Sequence, residues 1–202
     1  MPFQNCVAPT GALQAVSSNG TLMGNRGILH DDAGNILRSH AHQNWVTCAL
    51  QYKDREQTVM APGRYTQLFF FDEVTALSAV HRPCATCRRD RYRAFIDAWC
   101  QVHGRPEGGR SVPKTIDRIL HAARIARNGD KVTFRAKPSD LPNGTIFASD
   151  AASILRWNGG FLRWSFSGYQ DVDAAPLEEV SVQTPKPLVD LYAAGWTHDV
   201  QI

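Results

Sequence analysis

No stretch of the 202-residue chain approaches eighteen consecutive apolar residues, so no segment reads as a membrane span. The N-terminus, MPFQNCVAPTGALQAV, has neither the basic start nor the continuous apolar segment of a secretory signal. Cysteines are few, odd in number and unevenly spaced: Cys6, Cys48, Cys84, Cys87 and Cys100. That pattern argues against a disulfide framework and for reduced thiols, so a cytoplasmic protein is expected. Internal repeats, low-complexity tracts, phosphate loops and dinucleotide fingerprints are all missing, which excludes the fold classes they mark. Strong basicity is missing too. A net charge of +3 and a pI near 8.7 allow a polyanionic partner without demanding one.

What is present is ordinary globular material, 43% hydrophobic and 20% charged, enough for one good core. Charge is segregated by position. Arg82, Arg88, Arg89, Arg91 and Arg93 crowd residues 82–93, whereas Asp171, Asp173, Glu178 and Glu179 make the C-terminal third acidic.

Residues 1–20 carry no periodicity and read as a flexible lead-in. LMGNRGILHDDAGNILR (22–38) places two apolar runs about DDAGN, a hairpin signal. NWVTCALQY (44–52) alternates, with Val46, Cys48, Leu50 and Tyr52 on one face. A polar KDREQ turn and a Pro62-Gly63 break lead to RYTQLFFF (64–71), rich in strand formers. The period then becomes helical: Asp72 caps DEVTALSAV, and Tyr92, Phe95, Ile96 and Trp99 mark the apolar side of a second helix. Ser111 and Pro113 open a third helix, with Asn128-Gly129 as its stop. KVTFRA, TIFAS, SILRW and FLRWSF return to strands, with Asn158-Gly159-Gly160 as a hairpin turn. PLVDLYAAGW closes the chain as a short helix with Gly195 at its C-cap. The expected class is α+β: a small antiparallel meander with a metal knuckle and helices, then a β-rich half. The expected divisions are a lead-in (1–20), a knuckle domain (21–104), a linking helix (105–130) and a β-rich subdomain (131–202).

HRPCATCRRDRYRAF (81–95) carries the sharpest chemical signal. A Cys-x-x-Cys at a tight turn aims Cys84 and Cys87 at one point, and tetrahedral zinc accepts two such thiolates at about 2.3 Å. A structural site needs two more ligands. Cys48 is the third candidate and His30 the preferred fourth, with His40, His42 and His81 as alternatives. Thioredoxin-type redox chemistry is disfavoured because no βαβ pattern surrounds the motif. Cys6 and Cys100 read as ordinary residues.

The stretch FFFDEVTALSAVHRPCATCRRD resembles the second half of the Ada-type metal-binding domain, in which an aromatic strand and an acidic-capped helix precede an Arg-Pro-Cys-x-x-Cys-Arg knuckle. The matching positions are 69–71, 72–80, and then Arg82, Pro83, Cys84, Cys87 and Arg88. GNRGILH (24–30) is similar to the strand that opens related small metal-binding domains. The resemblance covers about a quarter of the chain and implies a metal site at the knuckle. It does not extend to the family's first cysteine pair, where only Cys48 is available, so the methyl transfer to a cysteine of that pair is not implied. The whole chain is also similar to small bacterial proteins patterned GNRG-x-LH, W-x-x-C, RYT-x-LFF-x-DE and HRPC-x-x-CRR, a likeness that implies no activity.

Arg88, Arg89, Arg91 and Arg93 suit a phosphate-facing helix, since guanidinium groups bind phosphate oxygens two at a time. Their bland alternative is a solvated face paired with Asp90 and Asp97. Asp72-Glu73 and Asp117/His121 have the spacing of acid–base or metal-dependent nuclease groups, although a cap and an exposed pair explain them more simply. Trp157 and Trp164, beside Arg156 and Arg163, suit base stacking or a small core. The leading expectation is a zinc-stabilised, nucleic-acid-binding protein, acting in DNA repair or regulation. The alternatives are a metal-dependent hydrolase or nuclease, and a protein-interaction adaptor. Nothing in the sequence sets the oligomeric state.

Overall fold

The computed structural model describes residues 1–53, 58–126, 128, 130–173, 176 and 178–201. Among these, six strands form a first sheet: β1 (Cys6–Val7), β2 (Leu13–Gln14), β3 (Leu22–Asn25), β4 (Val46–Ala49), β5 (Leu68–Phe70) and β6 (Arg82–Pro83), in spatial order β2-β1-β5-β3-β4-β6. A second sheet holds β7 (Phe134–Ala136), β8 (Ile146–Ser149), β9 (Ala152–Trp157), β10 (Gly160–Ser165), β11 (Gly168–Asp171) and β12 (Val180–Val182), in order β11-β10-β9-β8-β12-β7. Four helices, α1 (Glu73–Ser78), α2 (Arg89–His103), α3 (Val112–Ala122) and α4 (Lys186–Ala193), complete an α+β fold with a β-rich C-terminal half. No described helix is long and apolar enough to cross a membrane.

The expected antiparallel unit is present as β5–β3–β4. Two parallel pairings extend it, β1 beside β5 and β6 beside β4. Residues 1–20 thus differ from a loose lead-in: Asn5, Cys6, Val7 and Ala8 are buried, and the Asn5 side chain donates to the Gln67 carbonyl. Pairing with the edge of β5, not periodicity of its own, holds this segment. The DDAGN turn forms as expected, with Asp31 accepting from the Ala33 and Asn35 amides. The Asn158-Gly159 turn joins β9 and β10 with both residues at positive φ. Helix α3 closes at Ala122, before the expected 128–129 stop, of which Gly129 lies outside the described residues, as does most of the KDREQ turn.

Helix α1 is buried along its whole length and joins the two halves. Its Leu77 and the following Val80 pack with Phe95 and Trp99 of α2, Ile116 and Leu120 of α3, and Leu188, Leu191 and Tyr192 of α4. On another side Val74 packs with Ile146 and Leu155 of the second sheet. One core therefore draws on the segments expected as knuckle domain, linking helix and β-rich subdomain. The chain leaves α1 through Val80 at φ 64°, with the Val80 and His81 amides donating to the Leu77 and Ala76 carbonyls. A β-branched residue is strained there. The bend it makes turns the chain back so that β6 lies beside β4.

Two buried histidines set a pH dependence. His198 sits against Trp157, Tyr192 and Trp196, and burial pushes it down to about 4. His81 packs on Trp45 and Phe70; burial, then the charges of Arg26 and Arg124, push it well below 6.5. Between about 4 and 6.5 the unfolded chain binds more protons than the folded one, so stability rises with pH across that window and is lost as pH falls through it. His198 alone is worth about 3 kcal/mol over the full window. Urea unfolding from pH 4.5 to 6.5 is expected to show the midpoint climbing, with a smaller climb in His198→Phe; a flat wild-type profile contradicts this account.

Candidate metal centre

The parallel pairing of β6 with β4 assembles the site. Val46 lies opposite Arg82 and Thr47 opposite Pro83, so continuing the register sets Cys48 against Cys84. The Cys84 amide donates to the Thr47 carbonyl at 2.9 Å, which holds that register at the strand end. The knuckle then folds Cys87 back to the same point. The sulfurs of Cys48, Cys84 and Cys87 all lie within 4.8 Å of one another. A zinc tetrahedron with ~2.3 Å bonds needs sulfurs about 3.8 Å apart, so adjustments of no more than about 1 Å suffice.

The surroundings favour a single thiolate, at Cys84. The Thr86 amide donates to Cys84 Sγ at 3.4 Å, joined by the Cys87 amide, while the Ala49 amide donates to Cys87 Sγ. The Cys48 thiol donates to Cys84 and, with the amides, holds it down to about 4 against the effect of burial. Cys48 itself is pushed far up by that bond and by burial, and burial raises Cys87. One negative charge is thus supported by the protein alone. Full ionisation of all three requires a cation among them, which is how metal binding displaces protons. Three cysteines in this arrangement can hold a metal ion.

All three cysteines line a cavity of about 520 Å³. Strand register explains its other wall. Met23 pairs with Cys48 on one side and with Phe69 on the other, so the three side chains share one face of β5–β3–β4. Leu50, Tyr52, Val59, Tyr65 and Gln67 continue the lining. The predicted alternation is visible here, since Cys48, Leu50 and Tyr52 share the cavity face while Trp45 and Thr47 are buried on the other.

His30 is not brought to the sulfurs. Its Nδ1 lies 2.6 Å from the Thr66 hydroxyl and its Nε2 3.4 Å from the Ala61 carbonyl, in the turn region beyond β3. Because β3 ends at Asn25, His30 leaves the sheet register that made it a neighbour of Cys48. His81 serves as acceptor for Arg26 Nε at 3.1 Å. Cys6 bonds the Val16 carbonyl, and neither it nor Cys100 joins the cluster.

The arginines divide into two sets. Arg88 Nη2 meets Glu73 Oε1 at 2.7 Å, and Arg91 grips both Glu73 oxygens at 2.6–3.0 Å while stacking on Trp196. Arg82 makes a two-pronged pair with Asp117 at 2.7 and 2.8 Å. These arginines are occupied by buried carboxylates, and α1 delivers Glu73 to them. Arg89 is exposed, and Arg93 is 66% exposed with only a 3.9 Å approach to Asp90. Asp72 caps α1 through the Thr75 amide and hydroxyl, as expected, and accepts from Tyr169 and the Gln201 amide. Asp117, committed to Arg82, has no bond to His121. Trp164 donates to Thr75 Oγ1 at 2.9 Å and Trp157 packs on the Val74 cluster, so these tryptophans join the halves.

None of the protein-family models, curated proteins or solved structures compared with this chain matches it.

Proposed function

We propose that Cys48, Cys84 and Cys87 hold a zinc ion and that the protein acts as a zinc-centred binding module, taking up a small molecule that supplies a donor to the metal from the adjoining cavity. The observation that carries this reading is that all three sulfurs stand in the wall of one apolar cavity of about 520 Å³, a size typical of small-molecule sites. Zinc is favoured by a donor set made wholly of thiolates. The knuckle's resemblance to Ada-type domains agrees with it. Hydrolysis is less well supported, because the described lining residues include no carboxylate or imidazole to serve as a base.

The test uses cobalt(II) in place of zinc. One equivalent is expected to give sulfur-to-metal charge-transfer bands, and imidazole or a small thiol is expected to shift the d–d bands as it enters the fourth position. A spectrum unmoved by saturating imidazole means a closed site and removes the cavity from the proposal.

A second reading, nucleic-acid binding, is favoured by the exposed pair Arg89 and Arg93 on one side of α2. Two phosphate contacts give a shallow salt dependence, a slope of about −1.8 in log K against log salt. The Arg89→Glu/Arg93→Glu double variant is expected to abolish binding to duplex DNA at low salt. Wild-type protein that ignores DNA and RNA at low salt rules this reading out.

A further inference from the structure

On the face of the first sheet away from the sulfur cluster, three cations converge on a cavity with no carboxylate among its described lining residues. Arg26 is 1% exposed; its Nε donates to His81 and its Nη1 to the Gly11 carbonyl, while Nη2 has no partner among the described residues. Arg124 is 3% exposed; its Nη2 donates to the Gln43 carbonyl, and its Nε and Nη1 have no described partner. Lys131 Nζ makes one described hydrogen bond, to the Ser78 carbonyl at 2.9 Å. The two guanidinium carbons lie 4.1 and 3.5 Å from the Trp45 ring centroid, which holds both groups in place. The turn that pairs Ile125 with Lys131 brings Arg124 and Lys131 to the same place.

All four side chains line a cavity of about 260 Å³, together with Thr10, Gly11 and Ser39 among others. None of its lining residues lines the cavity at the sulfurs. The acid that Arg124 senses is Asp117, already committed to Arg82. Unpaired buried charges and unfilled buried donors are both costly, and native proteins rarely keep them without a partner.

We propose that this cavity is a binding site for a small phosphate-type oxyanion, held by Arg26, Arg124 and Lys131. Its free donors, Arg26 Nη2, Arg124 Nε and Nη1 and the remaining Lys131 protons, call for several acceptor oxygens and more than one negative charge. Phosphate or a phosphomonoester has both; a carboxylate has two oxygens and one charge. The volume lies below the roughly 300 Å³ at which sites for drug-sized ligands begin, so the occupant is small. Burial, then the charges of Arg26 and Arg124, push Lys131 down to about 7, so a bound anion would favour its charged form.

The experiment is thermal unfolding and calorimetric titration of the full chain with inorganic phosphate, ribose 5-phosphate and acetate, at ionic strength kept constant with chloride. Phosphate is expected to raise the unfolding midpoint in a concentration-dependent manner, and acetate to leave it unmoved. Lys131→Met is expected to unfold at an equal or higher temperature than wild type without phosphate, because an unpartnered cation has gone, yet to bind phosphate at least about 10-fold more weakly. Arg124→Met should weaken it similarly. Tighter binding of ribose 5-phosphate than of phosphate identifies a phosphomonoester site; equal or weaker binding identifies free phosphate. A wild-type midpoint insensitive to both phosphates, an equal response to acetate, or undiminished phosphate binding by folded Lys131→Met overturns the proposal.

Discussion

Removing the metal from the wild-type protein is expected to lower its unfolding midpoint by about 6–20 °C, and the same chelator treatment should leave Cys84→Ser unmoved. The proposed zinc would join β4 to the knuckle, two segments separated by 35 residues that otherwise meet at β6 through a two-residue strand. A structural zinc can contribute ~10 kcal/mol or more to a small domain whose fold depends on it. Here the helical core stands apart from the sulfurs, so a loss of about 3–5 kcal/mol is expected, at roughly 2–4 °C per kcal/mol for a chain of this size. Elemental analysis should give one zinc per wild-type chain and none in Cys84→Ser, whereas His30→Ala should keep its zinc. A metal-free wild-type protein as stable as the metal-loaded one would refute this role.

Glu73→Gln is expected to cost about 3–5 kcal/mol, the size of loss seen when one partner of a buried ion pair is removed. The Glu73 side chain is 1% exposed and receives Arg88, both prongs of Arg91 and the Asp199 amide. Burial pushes its carboxyl up, but the Arg91 hydrogen bonds and the charges of Arg91 and Arg88 outweigh this and hold it below 4.5. Because the folded value lies below the unfolded one, this stabilisation is present above about pH 4.5 and is lost as pH falls through the folded value. The amide keeps the shape and removes the charge. Adding Arg91→Met to Glu73→Gln should recover part of the loss, since the uncompensated cation goes with it. A Glu73→Gln midpoint within a degree of wild type would show that these pairs contribute nothing.

The contrast between Cys48 and His30 shows how far one-dimensional reasoning reaches. Cys48 is expected from its face of an alternating strand, and His30 from ending a strand that could lie beside it. Cys48 lies within β4, where alternation dictates its face, and it meets the knuckle. His30 lies five residues beyond the end of β3, past a turn at Gly27, where no period constrains direction. The arginines fail differently. Spacing identifies which residues share a side of α2, yet Arg88 and Arg91 are neutralised by a carboxylate fifteen and eighteen positions upstream, on a different helix. Asp72 was legible because a cap bonds three residues along its own chain.

Local chemistry in the sequence suffices for the Cys-x-x-Cys turn, the Asp72 cap, the Asn158-Gly159 hairpin, the apolar side of α2 and the α+β class, since each depends on neighbours within about one turn of helix or strand. Only the tertiary structure decides that Cys48 completes a sulfur triad, that Glu73 consumes two arginines, that residues 5–8 join a sheet, and that Arg26, Arg124 and Lys131 face one another across a cavity with no acid among its described lining residues. These follow from pairings between distant segments, set by parallel strand register and by the burial of α1 between two halves, and no periodicity encodes them.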